Sequence, residues 1–144
     1  MPTPPAYNTQ QHSEEVTAAE ENPIRVLLAD DHKILRDGLA NLLREQPDIV
    51  LVGEVGDGQA AVDRTRELHP DVVVMDITMP RLTGIEATRM ITRELPDVRI
   101  IGLSMHEHED MASAMHNAGA VAYLTKDGDV EALIRAIRDA ARKE

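Results

Sequence analysis

The sequence predicts an α/β fold of five successive strand–helix units, wound as an open parallel sheet with helices on both faces. Three observations carry this. Pro23, Pro47, Pro70 and Pro96 each precede an aliphatic run, Gly119 does the same, and these stops recur every 23–26 residues. That interval suits one strand, one helix and two short loops. The runs themselves, such as Val26-Leu27-Leu28-Ala29 and Val72-Val73-Val74-Met75, are almost continuously apolar. Strands of that kind belong to a sheet buried on both faces. Between the runs lie amphipathic stretches of helical period.

Taken in order, residues 1–23 carry four Glu and no Lys or Arg. They hold too little apolar surface to offset the entropy of ordering, so a flexible tail is expected, with a short helix around Glu14–Glu20 as an option. A folded domain is expected over 24–144. Strands are predicted at 24–29, 49–54, 71–75, 98–103 and 120–124, and helices at 33–46, 57–69, 84–95, 107–117 and 128–142. Three of the stops read Pro-Asp and then Ile or Val: Pro47-Asp48-Ile49, Pro70-Asp71-Val72 and Pro96-Asp97-Val98. Proline ends the helix because it lacks a donor and clashes with the preceding turn. The β-branched residue behind it opens the strand. In the last helix Val130, Leu133, Ile134 and Ile137 form the apolar stripe, and Arg138, Arg142 and Lys143 suit the negative end of its dipole. Right-handed crossovers make the sheet doubly wound.

Composition narrows the chemistry. There is no Cys, which excludes disulfides and thiolate metal sites. Two Tyr (Tyr7 and Tyr123) are the only aromatic side chains, so the core must be aliphatic. The formal net charge of −11 opposes binding of this chain to nucleic acid or an anionic membrane. No apolar run is long enough to span a bilayer, and no secretory signal opens the chain. A cytoplasmic protein is the expectation.

In a doubly wound sheet, ligands bind beyond the carboxyl ends of the strands. The first polar residues expected there are Asp30 and Asp31 after strand one, Asp76 after strand three, Ser104 after strand four, and Thr125 and Lys126 after strand five. Any one of them alone would be an ordinary strand-end cap. Together they make three carboxylates, a hydroxyl and an ammonium at one edge. Crowded carboxylates need a cation, and Mg²⁺ with oxygen ligands is the usual choice where a phosphate completes the shell. A carboxylate can itself be the nucleophile, forming an aspartyl-phosphate. Asp76, the most central, is the expected acceptor.

Asp30-Asp31, Met75-Asp76-Ile77-Thr78-Met79-Pro80 with Gly84, Leu103-Ser104-Met105-His106 and Tyr123-Leu124-Thr125-Lys126 together resemble the receiver domains of two-component response regulators. The resemblance covers about 24–142. The details Asp-Asp-His, Ser-Met-His and Gly-Ala-x-Ala-Tyr-Leu-x-Lys are most similar to receivers of the LuxR/FixJ (NarL) type of transcription regulator. It implies a flavodoxin-like, CheY-like (βα)5 fold with strand order 2-1-3-4-5. It implies that Asp76 takes a phosphoryl group from a sensor histidine kinase or phosphotransfer protein. It further implies Mg²⁺ held by Asp31 and Asp76, by Asp30 directly or through water, and by the backbone carbonyl of Thr78. Lys126 would pair with Asp76 or its phosphate, Ser104 would move onto the phosphate, and Tyr123 would change rotamer with it. The output would be a switch of the face from strand four to helix five, not a released product, so the domain is a phosphoacceptor and not an enzyme. A homodimer stays open, and DNA would be reached only through a domain outside this chain. The chain ends at Glu144 with no helix-turn-helix, as either a stand-alone receiver or the first part of a longer regulator. Three positions depart from the common pattern: Asp127 follows Lys126 where proline and a cis bond are frequent, Met105 follows Ser104 where a small residue is frequent, and Thr78 sits where phosphate lifetime is set.

Other readings compete. Gly56-Asp57-Gly58-Gln59-Ala60-Ala61 fits Gly-x-Gly-x-x-Ala between a strand and a helix, with Asp76 20 residues on, as in dinucleotide sites. It leaves Asp30, Asp31, Ser104 and Lys126 unexplained, and a tight turn with Asp57 capping a helix is the plainer alternative. Asp76-Ile77-Thr78 is also similar to haloacid-dehalogenase-type phosphatases, but Thr78 stands where they carry a second Asp as acid/base. His106, His108 and His116 lack the spacing of a helical zinc pair. Met105, Met111 and Met115 are expected as core and groove fillers. His32 either tunes the acidic pair or is a plain residue opening helix one. A degenerate receiver acting only as a binding surface is disfavoured by the complete set of pocket residues.

Overall fold

The computed structural model describes residues 22–105 and 109–142. The strands are β1 (Ile24–Ala29), β2 (Ile49–Val55), β3 (Val72–Asp76), β4 (Arg99–Ser104) and β5 (Ala122–Thr125). They alternate with α1 (Lys33–Arg44), α2 (Gly58–Leu68), α3 (Gly84–Glu94), α4 (Glu109–Ala118) and α5 (Val130–Arg142). All strand pairs are parallel, in the order β2-β1-β3-β4-β5. This is the flavodoxin-like arrangement expected. The tail with its Glu14–Glu20 helix, and His106 and His108, lie outside the described residues.

The apolar runs are continuous because each strand feeds two cores. In β1, Leu27 and Ala29 join Val73, Met75 and Ile100 on the face covered by α2, α3 and α4. Val26 and Leu28 join Val74, Ile101 and Leu103 on the face covered by α1 and α5. The period of two separates the faces. Burying each such side chain is worth roughly 1.5–3 kcal/mol. The stripe expected in α5 is the one used: Leu133, Ile134 and Ile137 are buried. Of the three methionines expected as fillers, only Met115 is buried; Met105 and Met111 are exposed.

The strands begin later than the apolar runs suggest: β3 and β4 each start one residue on, and β5 two. The Pro-Asp stops are built into the ladder instead of merely preceding it. Asp71 accepts the Arg25 amide on Oδ2 (2.9 Å) while its own amide bonds the Arg25 carbonyl (2.8 Å). Asp48 takes Arg138 in a two-pronged ion pair (2.8 and 2.9 Å), 90 residues apart in sequence. Arg138 thus ties α5 to the α1–β2 loop and does not simply answer the helix dipole. At β5, the backbone first turns through Gly119 at φ +118°, where an added Cβ would lie 2.4 Å from Thr92. Only glycine accepts that conformation without strain.

Helix ends follow local chemistry. Thr83 and Glu86 form a capping box at the start of α3. Asp57 caps α2, its carboxylate accepting the Ala60 amide at 2.7 Å. The segment Gly56–Ala61 is therefore the turn-and-cap alternative, with Gly58 needed because a Cβ there would meet the Leu82 carbonyl at 1.8 Å. Among the described residues no helix is long and apolar enough to cross a membrane.

Candidate functional site

Parallel strands all end on one edge, and the polar residues expected there do converge. Asp76, Ser104 and Thr125 are the last residues of β3, β4 and β5, and not the first residues after them as the sequence suggested. Asp30, Asp31 and Lys126 follow β1 and β5 directly. The strand ladder thus holds three of the six in rigid backbone.

Asp30 and Asp76 are buried, at 0% and 1% exposure, and the Lys126 side chain is buried with them. Lys126 Nζ stands 3.0 Å from Asp30 Oδ2 and 3.2 Å from Asp76 Oδ2. Asp31 and His32 form the exposed rim. His32 Nδ1 faces inward, 3.1 Å from Asp30 Oδ1, 3.2 Å from Asp31 Oδ1 and 3.8 Å from Asp76 Oδ2.

The backbone around the pocket is closely tied. Asp30 accepts the His32 amide on Oδ1 (2.8 Å), which bends the chain from β1 into α1. Arg36 donates to the Asp30 carbonyl (2.7 Å) and anchors that bend to the first helix. Thr78 is exposed, and its amide donates to Asp76 Oδ1 at 3.2 Å, which sets its peptide beside the pocket. Gly84 lets α3 start against β3: a Cβ there would lie 2.0 Å from the Asp76 carbonyl oxygen. Ser104 is buried and its carbonyl accepts the Lys126 amide at 2.6 Å, fixing the root of the lysine. Tyr123 packs on the α2–α4 core beside Gly102, with its hydroxyl buried and without a hydrogen-bond partner among the described residues. Met105, beside Ser104, is 49% exposed.

Burial pushes the Asp76 carboxyl up to about 6. The Lys126 charge opposes the rise, and the Asp30 charge and a hydrogen bond with Asp31 add to it, while the Thr78 amide lowers it again. A buried acid held this far from its ordinary value marks a group whose ionised form lacks sufficient positive charge around it.

A divalent cation fits that deficit. Asp30 Oδ2 and Asp76 Oδ2 are buried, and despite the nearness of Lys126 neither receives a well-aligned hydrogen bond. One ligand atom from each of Asp30, Asp31, His32 and Asp76 lies within 4.8 Å of the others. Three carboxylates form a hard oxygen set of the kind Mg²⁺ takes. His116 stands apart on α4. Sequence reasoning left His32 undecided between tuning and helix start. It holds the N-cap position of α1 without capping it, and its ring turns back over the carboxylates. Adjacency to Asp30-Asp31 was the available signal. Arg36 was missed, since nothing in the sequence marks which carbonyl an arginine will hold.

Comparison with known proteins gives the family of this fold. Residues 26–138 match the response regulator receiver domain family. The chain is 46% identical over 121 residues to the transcriptional regulatory protein LiaR of Bacillus subtilis, covering 84% of this chain and 57% of that protein. It is 38% identical over 122 residues to DegU of Brevibacillus brevis, covering 85% and 52%. The chain therefore spans about half the length of the curated relatives it matches. Among solved structures, a LuxR-family response regulator from Aurantimonas superposes with TM-score 0.79 at 39% identity, covering 83% of this chain and 85% of that one. The receiver domain of the NarL regulator from Mycobacterium tuberculosis does so at 0.80 and 29%, covering 85% and 99%. Receiver domains generally bind Mg²⁺ in an acidic pocket, and a cluster of that kind is present. The chain belongs to the response regulator receiver domain family of two-component signalling.

Proposed function

We propose that Asp76 is the phosphoacceptor of this domain, taking its phosphoryl group from a phosphohistidine on a sensor kinase or phosphotransfer protein. The observation that carries this is Asp76 itself: a buried carboxylate with Lys126 Nζ 3.2 Å away and one oxygen lacking a well-aligned donor. An Asp76 oxygen forms the new P–O bond as the P–N bond to the donor imidazole breaks, and the imidazole leaves neutral once it takes up a proton. Asp30, Asp31, Asp76 and the Thr78 carbonyl would hold Mg²⁺. When bound, the ion neutralises charge on the phosphoryl oxygens.

The remaining work falls to this chain's own groups. Lys126 holds one phosphoryl oxygen as a fixed point charge, because its stem is buried and its amide is anchored on Ser104. Ser104 offers its hydroxyl from the end of β4, and Tyr123 refills the space that Ser104 vacates. The added charge then biases two arrangements of the face from β4 to α5. The domain is regulatory, and its companion is a LuxR-type DNA-binding domain, a reading supported by the greater length of DegU and LiaR, both transcriptional regulatory proteins, and by the likeness to the LuxR-family regulator from Aurantimonas. A chain of net charge −11 would meet DNA only through such a domain. The cytoplasm, where histidine kinases present their phosphohistidine, is the proposed location.

Intact mass after treatment with acetyl phosphate and Mg²⁺ tests the proposal. Wild type gains one phosphoryl group and Asp76→Ala gains none. Equal labelling of both proteins, or none of wild type, would overturn it.

A further inference from the structure

We infer that Arg36 is a positioning residue for the acidic pocket. It joins the Asp30 carbonyl to the end of β2, in space that Gly56 leaves open, and so raises the affinity of the pocket for its divalent ion. This rests on the reading that the pocket holds such an ion, and adds what keeps two of its ligands in place.

The need arises where β1 leaves the sheet. Ala29 is the last residue of β1 paired with its neighbours, with Val55 of β2 and Met75 of β3. Asp30 comes next and is wholly buried. Its amide still reaches the Val55 carbonyl at 3.0 Å. Its own carbonyl has left the ladder, and a buried carbonyl needs a donor. Arg36 Nη1 supplies one at 2.7 Å and lies 3.4 Å from the Val55 carbonyl as well. One guanidinium nitrogen thus holds the ends of both strands where they part. A charged donor makes that bond stronger than one between neutral groups.

The same peptide places two carboxylates. The Asp30 side chain has other holds, the His32 amide at 2.8 Å and Lys126 at 3.0 Å. Asp31 stands on the rim with its side chain 32% exposed, so the backbone directs its carboxylate more than packing does. A rotation of the Asp30–Asp31 peptide would spread oxygens that now lie within 4.8 Å of one another.

Arg36 is itself held. Its buried Nε faces Glu54 Oε1 at 3.5 Å, and Glu54 takes Arg44 at 3.0 Å on its other oxygen. A Cβ on Gly56 would lie 3.0 Å from Arg36 Nη1, so a larger residue there would push the guanidinium off its carbonyls. The first glycine of Gly56-Asp57-Gly58 thus has a task separate from the Asp57 cap.

Two other roles for Arg36 make different predictions. Acting through charge alone, it would repel a divalent cation, and its loss would tighten binding. Acting only as a strut of the fold, it would change the melting temperature and leave the affinity of folded molecules unchanged. Only positioning makes its loss weaken binding.

Mn²⁺ favours the same oxygen ligands as Mg²⁺, and the fall of its free-ion EPR signal reports binding without any phosphoryl transfer. Only binding abolished by Asp31→Asn counts as pocket binding. Well below the melting range, Arg36→Met keeps the apolar stem, removes the donors and weakens that binding by about 10-fold or more, as loss of groups behind metal ligands commonly does. Gly56→Val weakens it in the same direction and adds no further loss in the Arg36→Met background, because it acts through the guanidinium. Arg138→Gln, which breaks the pair with Asp48 at the opposite edge of the sheet, lowers stability and leaves the affinity at the wild-type value. Equal or tighter binding by Arg36→Met, or an equal loss in Arg138→Gln, overturns the positioning role. Wild-type binding by Gly56→Val, or a fully additive loss in the double variant, overturns the route through Gly56. Each of these leaves the pocket standing. A wild type without Asp31-dependent Mn²⁺ binding removes the pocket, and the role of Arg36 with it.

Discussion

Asp76 carries two demands that conflict. In the acceptor role proposed for it, it must be ionised, and as the end of a central strand it is almost wholly buried. Its carboxyl is raised to about 6 from 3.8, first by burial, with Asp30 and Asp31 adding to it against Lys126. With no cation bound, the folded protein therefore holds a proton on Asp76 between these pH values that the unfolded chain has released. Stability falls as pH rises through that window, by on the order of 3 kcal/mol at the usual 1.36 kcal/mol per pKa unit. Asp76→Asn, which keeps the shape and removes the charge, is expected to stabilise the magnesium-free protein at neutral pH by that order. The gain disappears near pH 4. Thermal melts in chelator at the two pH values check this. A variant less stable than wild type at neutral pH would show that Lys126 outweighs burial. Burial and Asp30 thus disfavour the ionised form of Asp76 against the pull of Lys126, a conflict of the kind that clusters at functional sites.

Secondary elements show what the sequence could and could not disclose. All five strands and five helices were legible, because prolines punctuate the chain and the apolar period switches from helical to continuous at each one. The site was legible for a topological reason: parallel strands must deliver their carboxyl ends to one edge, so Asp30, Asp31, Asp76, Ser104 and Lys126 could be assembled without coordinates. Element starts were less legible. The beginning of β3, for example, is decided by where Asp71 stops serving Arg25, which is a long-range event. The inward turn of His32 was hidden for the same reason, since it depends on which oxygen takes its amide.

The Arg138–Asp48 clamp is the clearest long-range case at this scale, and it makes a stability prediction. Arg138 holds the Asp48 carboxyl below the usual carboxylate range, chiefly through their hydrogen bonds. A depressed folded value stabilises above the ordinary range, and that stability is lost as pH falls through the folded value. Both partners are about a third exposed, so screening limits the effect. Arg138→Gln should cost about 1 kcal/mol at neutral pH and nothing once Asp48 is protonated in acid. Urea denaturation at the two pH values reads the difference directly. A cost that persists in acid would assign Arg138's contribution to packing of its stem against α5's neighbours.

At the scale of the whole molecule, one sheet with a core on each face raises the question of whether the two faces unfold together. β1 answers it physically. Leu27 is buried against α2–α4 and Leu28 against α1 and α5, both at 0% exposure, yet they are adjacent residues on one strand. Neither face can dissolve without stripping hydrogen-bond partners from the strand that the other face needs. Leu27→Ala and Leu28→Ala should therefore each cost about 2–5 kcal/mol and each leave a single cooperative transition. Scanning calorimetry tests this, with calorimetric and van't Hoff enthalpies equal in both variants. A split transition in either would show that one helical layer melts alone. The pocket supplies the second half of the argument. It is assembled from the ends of β1, β3, β4 and β5, which both cores hold in place. Below the melting range, each leucine variant should take up acetyl phosphate on Asp76 as fully as wild type, since cooperative unfolding lowers the number of folded molecules and leaves the geometry of each one unchanged. Reduced labelling in a fully folded Leu27→Ala or Leu28→Ala protein would mean that the strand ends shift with the core, and that packing on one face sets the reactivity of the acceptor.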